Sequence, residues 1–392
     1  MTDRKDERIY ADWNATAPLR AEARAAFLAA LDAGGNPSSV HAEGRAARRL
    51  IDAARDQVAA LVGGEPRNVV FTSGGTEANM LALTPTRAAG GTVAPDRLLV
   101  SAIEHPSVLA GGRFPAESVE RLPVTASGVI DLAALERRLA AQSGRALVSL
   151  MLANNETGVL QPISQAAHLI HQAGGLLHVD AVQAVGRIPC DIKALGADLL
   201  TLSGHKIGAP KGTGALVRRD AALPLGNPLI RGGGQERGLR AGTENVAGIA
   251  GFGAAAAAAH AGLRAQTAHM RALRDRFEAG LTVVSPDVVI FGSQADRLPN
   301  TTLFAVPGMK AETAVIAFDL EGVAVSSGAA CSSGKVQPSH VLAAMGVPPQ
   351  LAQGAVRVSV GPATAESEID GLIQAWIKVS AALLKERRGI AA

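Results

Sequence analysis

Leu177-His178-Val179-Asp180-Ala181-Val182-Gln183 reads as a strand that ends in an aspartate, and the next apolar run, Asp198–Leu202, leads into Ser203-Gly204-His205-Lys206. In open parallel sheets, ligands bind outside the carboxyl ends of the strands. An acid, a glutamine, a serine, a histidine and a lysine therefore reach one rim from consecutive strands. The residues alone equally allow a plainer arrangement, in which Asp180 caps a following helix and Lys206 is solvated. A second element, Phe71-Thr72-Ser73-Gly74-Gly75-Thr76-Glu77, reads as a strand, a Gly-Gly turn and a helix opening. Such a helix start is a ready anion site, with phosphate its usual guest, although an ordinary turn capped by threonine reads the same way. It lacks the Gly-Lys-Ser/Thr of a P-loop and the three-glycine fingerprint of a dinucleotide site. A lysine and an aspartate beside a phosphate cradle are what pyridoxal phosphate requires. The lysine forms a Schiff base, the acid keeps the pyridine nitrogen protonated, and the helix end takes the phosphate.

Two further residues fit chemistry on such a rim. Cys331 sits in Val325-Ser326-Ser327-Gly328-Ala329-Ala330-Cys331-Ser332-Ser333-Gly334, a run of small and polar residues. That setting suits a mobile nucleophile better than a packed thiol. Cys190, in Ile188-Pro189-Cys190-Asp191, has no such setting and reads as structural. Arg357, in the alternating Val356-Arg357-Val358-Ser359-Val360, could clamp a carboxylate with two hydrogen bonds or could be a solvated strand residue. His168 and His171 lie three apart on a helix, but nothing nearby completes a metal set, so they read as a solvated face and no metal is expected.

Composition narrows the classes. The 392 residues are 47% hydrophobic and 19% charged, which excludes disorder as the overall state. A net charge of +3 is no field for nucleic acid. Two cysteines make no disulfide framework, so a reducing, cytoplasmic setting is expected. No signal peptide is visible, and no apolar run free of charges and breakers reaches the length of a membrane span, so no membrane association is expected.

The elements that would position these residues alternate. Val69–Thr72, Arg97–Ser101, Ala146–Met151, Leu176–Val179 and Asp198–Leu202 read as strands buried on both faces. Ala21–Asp32, Ala42–Leu61, Thr76–Thr84, Asp131–Ala140 and Ser164–Ala173 read as helices between them. The alternation implies βαβ units and a mostly parallel sheet. The six alanines Ala254–Ala259 read as the start of a long helix running to Leu281. Beyond it, Val283–Ile290, Asn300–Phe304, Val323–Ser326 and Gly354–Val360 read as strands, and Glu366–Glu386 as a closing amphipathic helix.

Taken together these segments resemble the cysteine desulfurases, of the class V aminotransferase group. The resemblance runs from Ala11-Asp12-Trp13-Asn14 to Arg357–Gly361. It includes Gly35-Asn36-Pro37-Ser38-Ser39, Thr72–Glu77, Ile103-Glu104-His105-Pro106, Asn154-Asn155-Glu156-Thr157-Gly158, His178–Gln183, Ser203–Lys206, Arg240-Ala241-Gly242-Thr243-Glu244-Asn245 and Ser326–Cys331. It implies the α/β type I fold of pyridoxal-phosphate enzymes. Residues 1–15 would pack with a small domain, 16–255 would form a large domain with a mostly parallel central sheet, and 256–392 a smaller α/β C-terminal domain carrying the cysteine. The implied roles are Lys206 as Schiff-base lysine, Asp180 on the pyridinium nitrogen, Gln183 on the ring hydroxyl and His105 stacked on the ring. Gly75, Thr76, Ser203 and His205 would hold the phosphate, with Thr243 reaching in from a second subunit. Asn155 and Arg357 would bind the substrate carboxylate with Asn36 nearby, and Cys331 would accept sulfur. The implied reaction converts L-cysteine to L-alanine and a persulfide in a homodimer that supplies an acceptor such as an iron–sulfur scaffold protein. Selenocysteine lyase or another class V enzyme is the alternative. The sequence departs from the resemblance at Met80, where asparagine is common.

Overall fold

The computed structural model describes residues 8–85, 94–141, 144–223, 225, 227–328 and 338–388. Strand β1 (Ile9–Tyr10) and helices α1 (Ala21–Asp32) and α2 (Ala42–Leu61) come first. There follow β2 (Val69–Thr72), α3 (Gly75–Ala82), β3 (Arg97–Ser101), α4 (Pro106–Leu109), β4 (Val119–Leu122), α5 (Leu132–Ala141), β5 (Ala146–Met151), α6 (Ile163–Gln172), β6 (Leu176–Asp180), β7 (Leu199–Ser203) and β8 (Gly214–Arg218). Helix α7 (Val246–Val284) leads to β9 (Val289–Ile290), β10 (Thr301–Ala305), α8 (Ala311–Leu320), β11 (Val323–Ala324), β12 (Ser326–Ser327), α9 (His340–Ala344), α10 (Pro349–Ala352), β13 (Val356–Ser359) and α11 (Glu366–Arg388).

The large sheet has seven strands in the order β2-β8-β7-β6-β5-β3-β4. Only β8 runs against the others, pairing antiparallel with β2 and β7. Every residue of β2, β3, β5 and β7 is buried, because helices cover both faces. The expected strands and helices of this half match within one or two residues, with α3 ending at Ala82, two short of Thr84. Two strands escaped the sequence reading. β4 is an edge strand, Val-Glu-Arg-Leu, with only Leu122 buried, and β8 opens on a glycine and closes on an arginine.

A four-stranded antiparallel sheet, β12-β13-β10-β9, forms a second layer with α8 and α11, and β1 joins β11 as a separate parallel pair. Its core centres on Trp376, fully buried, stacked on Phe318 and edge-on to Phe304 at 5.2 Å between centroids. Helix α7 ties the two layers together. Phe252, Ala255, Ala256 and Ala259 pack into the core of the large sheet, while Met270, Leu273, Phe277 and Leu281 pack into the second. The alanine run thus lies inside the helix, and residue 255, the expected domain boundary, falls mid-helix. The expected strand Val283–Ile290 is the last turn of α7 followed by the short β9. Leu281 is buried at the helix end, so Val283, 82% exposed, rides the helix past the core. α7 is long and apolar enough to cross a membrane by composition, a property missed in the sequence, where glycines and a histidine interrupt the run; its apolar residues are packed inside the protein instead.

Small residues let α7 lie against α2. A Cβ on Gly253 would stand 2.5 Å from the Cα of Ala54, whereas one on Gly262, farther along the same helix, would meet only the flexible end of Gln266. Gly253→Val is expected to destabilise the fold by about 1–3 kcal/mol through overpacking. Gly262→Ala is expected to be neutral or stabilising by up to about 1 kcal/mol through helix propensity. Urea denaturation of the two variants checks this, and equal midpoints would contradict the close packing of α2 on α7.

Candidate functional site

Six parallel strands end on one rim of the large sheet, and a cavity of about 700 Å³ opens there, between that rim and β12 and β13 of the second layer. Asp180, the last residue of β6, is 6% exposed. Its Oδ1 accepts from the Val182 N–H at 3.0 Å and its Oδ2 from Asn79 Nδ2 at 2.9 Å. It caps a turn, as the plainer reading held, yet it also lines the cavity. Lys206 lies one strand over, just past the end of β7. It is not a solvated lysine. Its Nζ donates to the carbonyls of Asn14 and Ala15, and burial, with help from the Arg357 and Arg187 charges, lowers its pKa to about 7. A large share of the amine is therefore neutral near pH 7, the form that can act as nucleophile or base.

The cradle stands beside them. Helix α3 begins at Gly75 with no side-chain cap, so its first amides lack the usual partner. A Cβ on Gly75 would lie 3.0 Å from Val182 and 3.3 Å from the Ser203 Cβ, and one on Gly214 would lie 2.5 Å from the backbone of Gly74. Glycine is needed at 214 for the turn to sit on β8, and Gly75 packs tightly against Val182 and Ser203. Glu77 lines the cavity and is tied down by neighbouring donors. Its Oε2 accepts from the Ser73 N–H at 2.8 Å and its Oε1 from Arg240 Nε at 3.1 Å. Burial works against its charge, and these donors outweigh that and hold its pKa below the usual range. Thr76, Ser203 and His205 line the same cavity. Burial first, then the charges of Lys206, Lys211 and Arg187, lower the His205 pKa to about 4, so its ring is neutral.

His105 caps α4 and turns its ring to the cavity. Its pKa is lowered, chiefly by burial, with Asp180 opposing and Lys206 and His340 assisting. Gln183 donates from Nε2 to the Asn14 carbonyl at 3.0 Å and accepts from Arg187 at 2.6 Å. Arg357 is 7% exposed, which excludes the solvated reading. Its Nη1 donates to the Asn155 carbonyl at 2.9 Å and its Nη2 to Asp12 at 2.8 Å, while its buried Nε has no hydrogen-bond partner.

Not every expected residue arrives. Asn36 lies on the exposed connection between α1 and α2, where its Oδ1 accepts from the Ser38 N–H, and it does not line the cavity. Thr243 is exposed and lines a neighbouring cavity of about 310 Å³ with Ser73 and Thr213, which also line the larger one. Cys331 lies outside the described residues, but Ser326 and Gly328 before it and His340 after it all line the 700 Å³ cavity. Cys190 is buried, and burial pushes its thiol far above the ordinary range. His168 is exposed, as expected of a solvated face, while His171 is half-buried and bonds Asp198 at 2.9 Å; among the described residues no cluster of His, Cys, Asp and Glu is placed to hold a metal.

Four residues that sequence reasoning left without a role stand in or behind the site. Glu156 is buried, its pKa raised to about 7 by burial against the hydrogen bond from Ser339 and the Arg357 charge. Glu104 is fully buried, and burial raises its pKa well above the carboxylate range. His340 lines the cavity and reaches the Glu104 carbonyl at 3.0 Å. Asn79 holds Asp180. The first two occur in quoted motifs, and His340 follows Cys331 by nine positions, whereas Asn79 is a polar residue in mid-helix whose only sequence signal is its burial-facing position. Met80, the departure noted in the sequence, is half-buried beside it and contacts no site residue through its backbone, which accepts from Thr84.

A family model for class-V aminotransferases matches residues 9–372. The chain is 45% identical over 376 residues to a cysteine desulfurase of Cereibacter sphaeroides, covering 94% of each chain. It is 42% identical to a cysteine desulfurase of Gluconacetobacter diazotrophicus, covering 93% of this chain and 91% of that one. Among solved structures, a NifS-like protein from Rickettsia africae superimposes with a TM-score of 0.85 at 35% identity, covering 95% of this chain and 99% of that one. A protein named SspA, solved in complex with cysteine, superimposes with a TM-score of 0.75 at 28% identity over 91% of this chain and 100% of that one. With strand order, lysine, aspartate and cradle all on one rim, the chain belongs to the class-V aminotransferase family and, within it, to the cysteine desulfurases.

Proposed function

We propose that the protein binds pyridoxal 5'-phosphate in the 700 Å³ cavity and converts L-cysteine to L-alanine, passing the sulfur to Cys331 as a persulfide. The observation that carries this reading is the pairing of Lys206, its amine lowered to about pKa 7, with the buried Asp180 carboxylate at the ends of adjacent strands. The residues fit the cofactor. An uncapped helix start packed against β8 at Gly214 suits its phosphate, and a buried acceptor-only carboxylate suits its ring nitrogen. Bound there, the cofactor would supply an aldehyde carbon for an amine and a protonated ring that withdraws electrons from the substrate Cα.

The protein's own residues do the rest. Gly75 and Thr76 would bind the phosphate with their backbone amides, and Ser203 and His205 would add donors. Asp180 would hold the proton on the ring nitrogen, Gln183 would bond the ring hydroxyl and His105 would lie against the ring. Arg357, whose buried Nε lacks a partner, binds the substrate carboxylate with Asn155 and so orients the Cα–H bond. Lys206 takes the Cα proton as base. The Cys331 thiolate then forms an S–S bond to the substrate sulfur while the Cβ–S bond breaks, its electron pair staying with the three-carbon fragment that becomes alanine. The proposal includes a homodimer in which Thr243 of each chain serves the other's phosphate, a cytoplasmic setting that keeps Cys331 reduced, and an acceptor such as an iron–sulfur scaffold protein.

Lys206→Ala is expected to abolish turnover and the visible absorption band of the lysine-bound cofactor. Absorption spectra of the purified variant check this, and a retained wild-type band would overturn the assignment. Cys331→Ser is expected to keep the cofactor band and to lose persulfide formation at least about 100-fold, because a hydroxyl is a poor nucleophile toward sulfur. Sulfide release from L-cysteine with reductant is the assay. Wild-type rates in Cys331→Ser, with loss in Cys190→Ser, would reverse the roles of the two cysteines.

A further inference from the structure

Behind the cavity, hydrogen bonds link two site residues that no motif joins. The Ser107 N–H donates to His105 Nδ1 at 3.2 Å, so that nitrogen carries no hydrogen in the neutral ring. Ser107 Oγ lies 2.8 Å from the same nitrogen, and its O–H must therefore donate to it. The Ser107 oxygen in turn accepts from Asn79 Nδ2 at 3.0 Å. The other hydrogen of the same amide goes to Asp180 Oδ2 at 2.9 Å, and an ionised carboxylate only accepts.

With both amide hydrogens committed, Asn79 Oδ1 accepts, and its donor is the Thr201 hydroxyl at 2.6 Å. The Thr201 oxygen then accepts from His178 Nε2 at 3.2 Å, which leaves His178 Nδ1 to accept from Ser149 at 2.7 Å. Every donor in this chain is forced by its neighbour. Ser149, His178, Thr201 and Asn79 are each at most 1% exposed, so water does not compete. Burial lowers the His178 pKa to about 4, consistent with the neutral ring that the bonding requires.

We propose that Asn79 is the positioning residue that aims the Asp180 carboxylate and, through Ser107, holds His105 as the tautomer with its hydrogen on Nε2. The Asp180 arm rests on the cofactor reading above; the His105 arm does not. A carboxylate torsion is soft and nearly two-fold, so the amide on Oδ2, opposing the Val182 N–H on Oδ1, fixes the plane in which Asp180 meets a ring nitrogen. The fixed tautomer leaves a His105 N–H, not a lone pair, for the cavity.

The test uses the full chain labelled with ¹⁵N-histidine, the His105 signals being identified by their loss in His105→Gln. Wild type is expected to show a single His105 tautomer with hydrogen on Nε2. Asn79→Leu, nearly isosteric, is expected to shift His105 toward a tautomer mixture, to move the pH midpoint of the cofactor's visible band, and to lower kcat/KM for L-cysteine by on the order of 100-fold. Ser107→Ala, outside the buried part of the chain, is expected to shift the His105 signals and leave the band's midpoint in place. It decides the histidine arm should Asn79→Leu not fold. A folded Asn79→Leu with wild-type His105 signals and a wild-type band, or a Ser107→Ala with wild-type His105 signals, would overturn the proposal. Failure of the wild type to take up pyridoxal phosphate would count against the functional reading, and the histidine spectra, recorded before cofactor is added, would still decide the role of Asn79.

Discussion

A carboxylate removed from water must find donors inside the protein, and Asp180 imposes that demand at the centre of this molecule. β6 delivers it to the rim with 6% exposure, and both of its oxygens are met, one by the backbone of the turn that follows and one by Asn79. Meeting it fixes the start of α3, because Asn79 sits one turn into that helix. The same helix start is the proposed phosphate cradle. One buried charge therefore sets the spacing between the two places at which the proposed cofactor would be held.

The cations are arranged against the same constraint. Lys206 and Arg357 line the cavity with Arg187 buried close by; burial with the two arginine charges lowers Lys206 to about 7, and burial with the Arg357 charge lowers Arg187 to about 9. Asp12 and Asp180 offset part of this for Lys206. Asp12 also takes Nη2 of Arg357, leaving the adjacent Nε unpartnered in a buried position. An arginine held this way is rigid and still lacks one acceptor, which suits a group that must wait for a carboxylate. The fold supplies the rigidity, since Arg357 lies on β13 between Leu303 of β10 and Ser326 of β12.

Much of this was legible in the sequence, for physical reasons. Strands buried on both faces read as apolar runs, so β2, β3, β5, β6 and β7 were recognisable, and residues just past their ends, Asp180, Ser203 and Lys206, had to share a rim. β4 was not recognisable because its exposed edge carries charges, and β8 because it is a short run that opens on a glycine among other glycines. The two valines before Ser285 read as a strand because β-branching was the local signal, while the i, i+4 packing of Phe277 and Leu281 decided for helix. Asn79 was invisible because its meaning lies in Asp180 and Thr201, each more than a hundred residues away, and no local pattern encodes that meeting. Asn36 and Thr243 were named by resemblance alone, and neither lines the main cavity of its own chain.

The central claim is that Lys206, Asp180 and Arg357 are arranged so that the Cα–H and Cβ–S bonds of cysteine break in one turnover. The most direct measurement is incubation of the cofactor-loaded protein with L-cysteine and a reductant, with alanine and sulfide quantified together. Equal amounts of the two, rising together in time, are the predicted result. Pyruvate in place of alanine, or loss of cysteine without sulfide, would contradict the account.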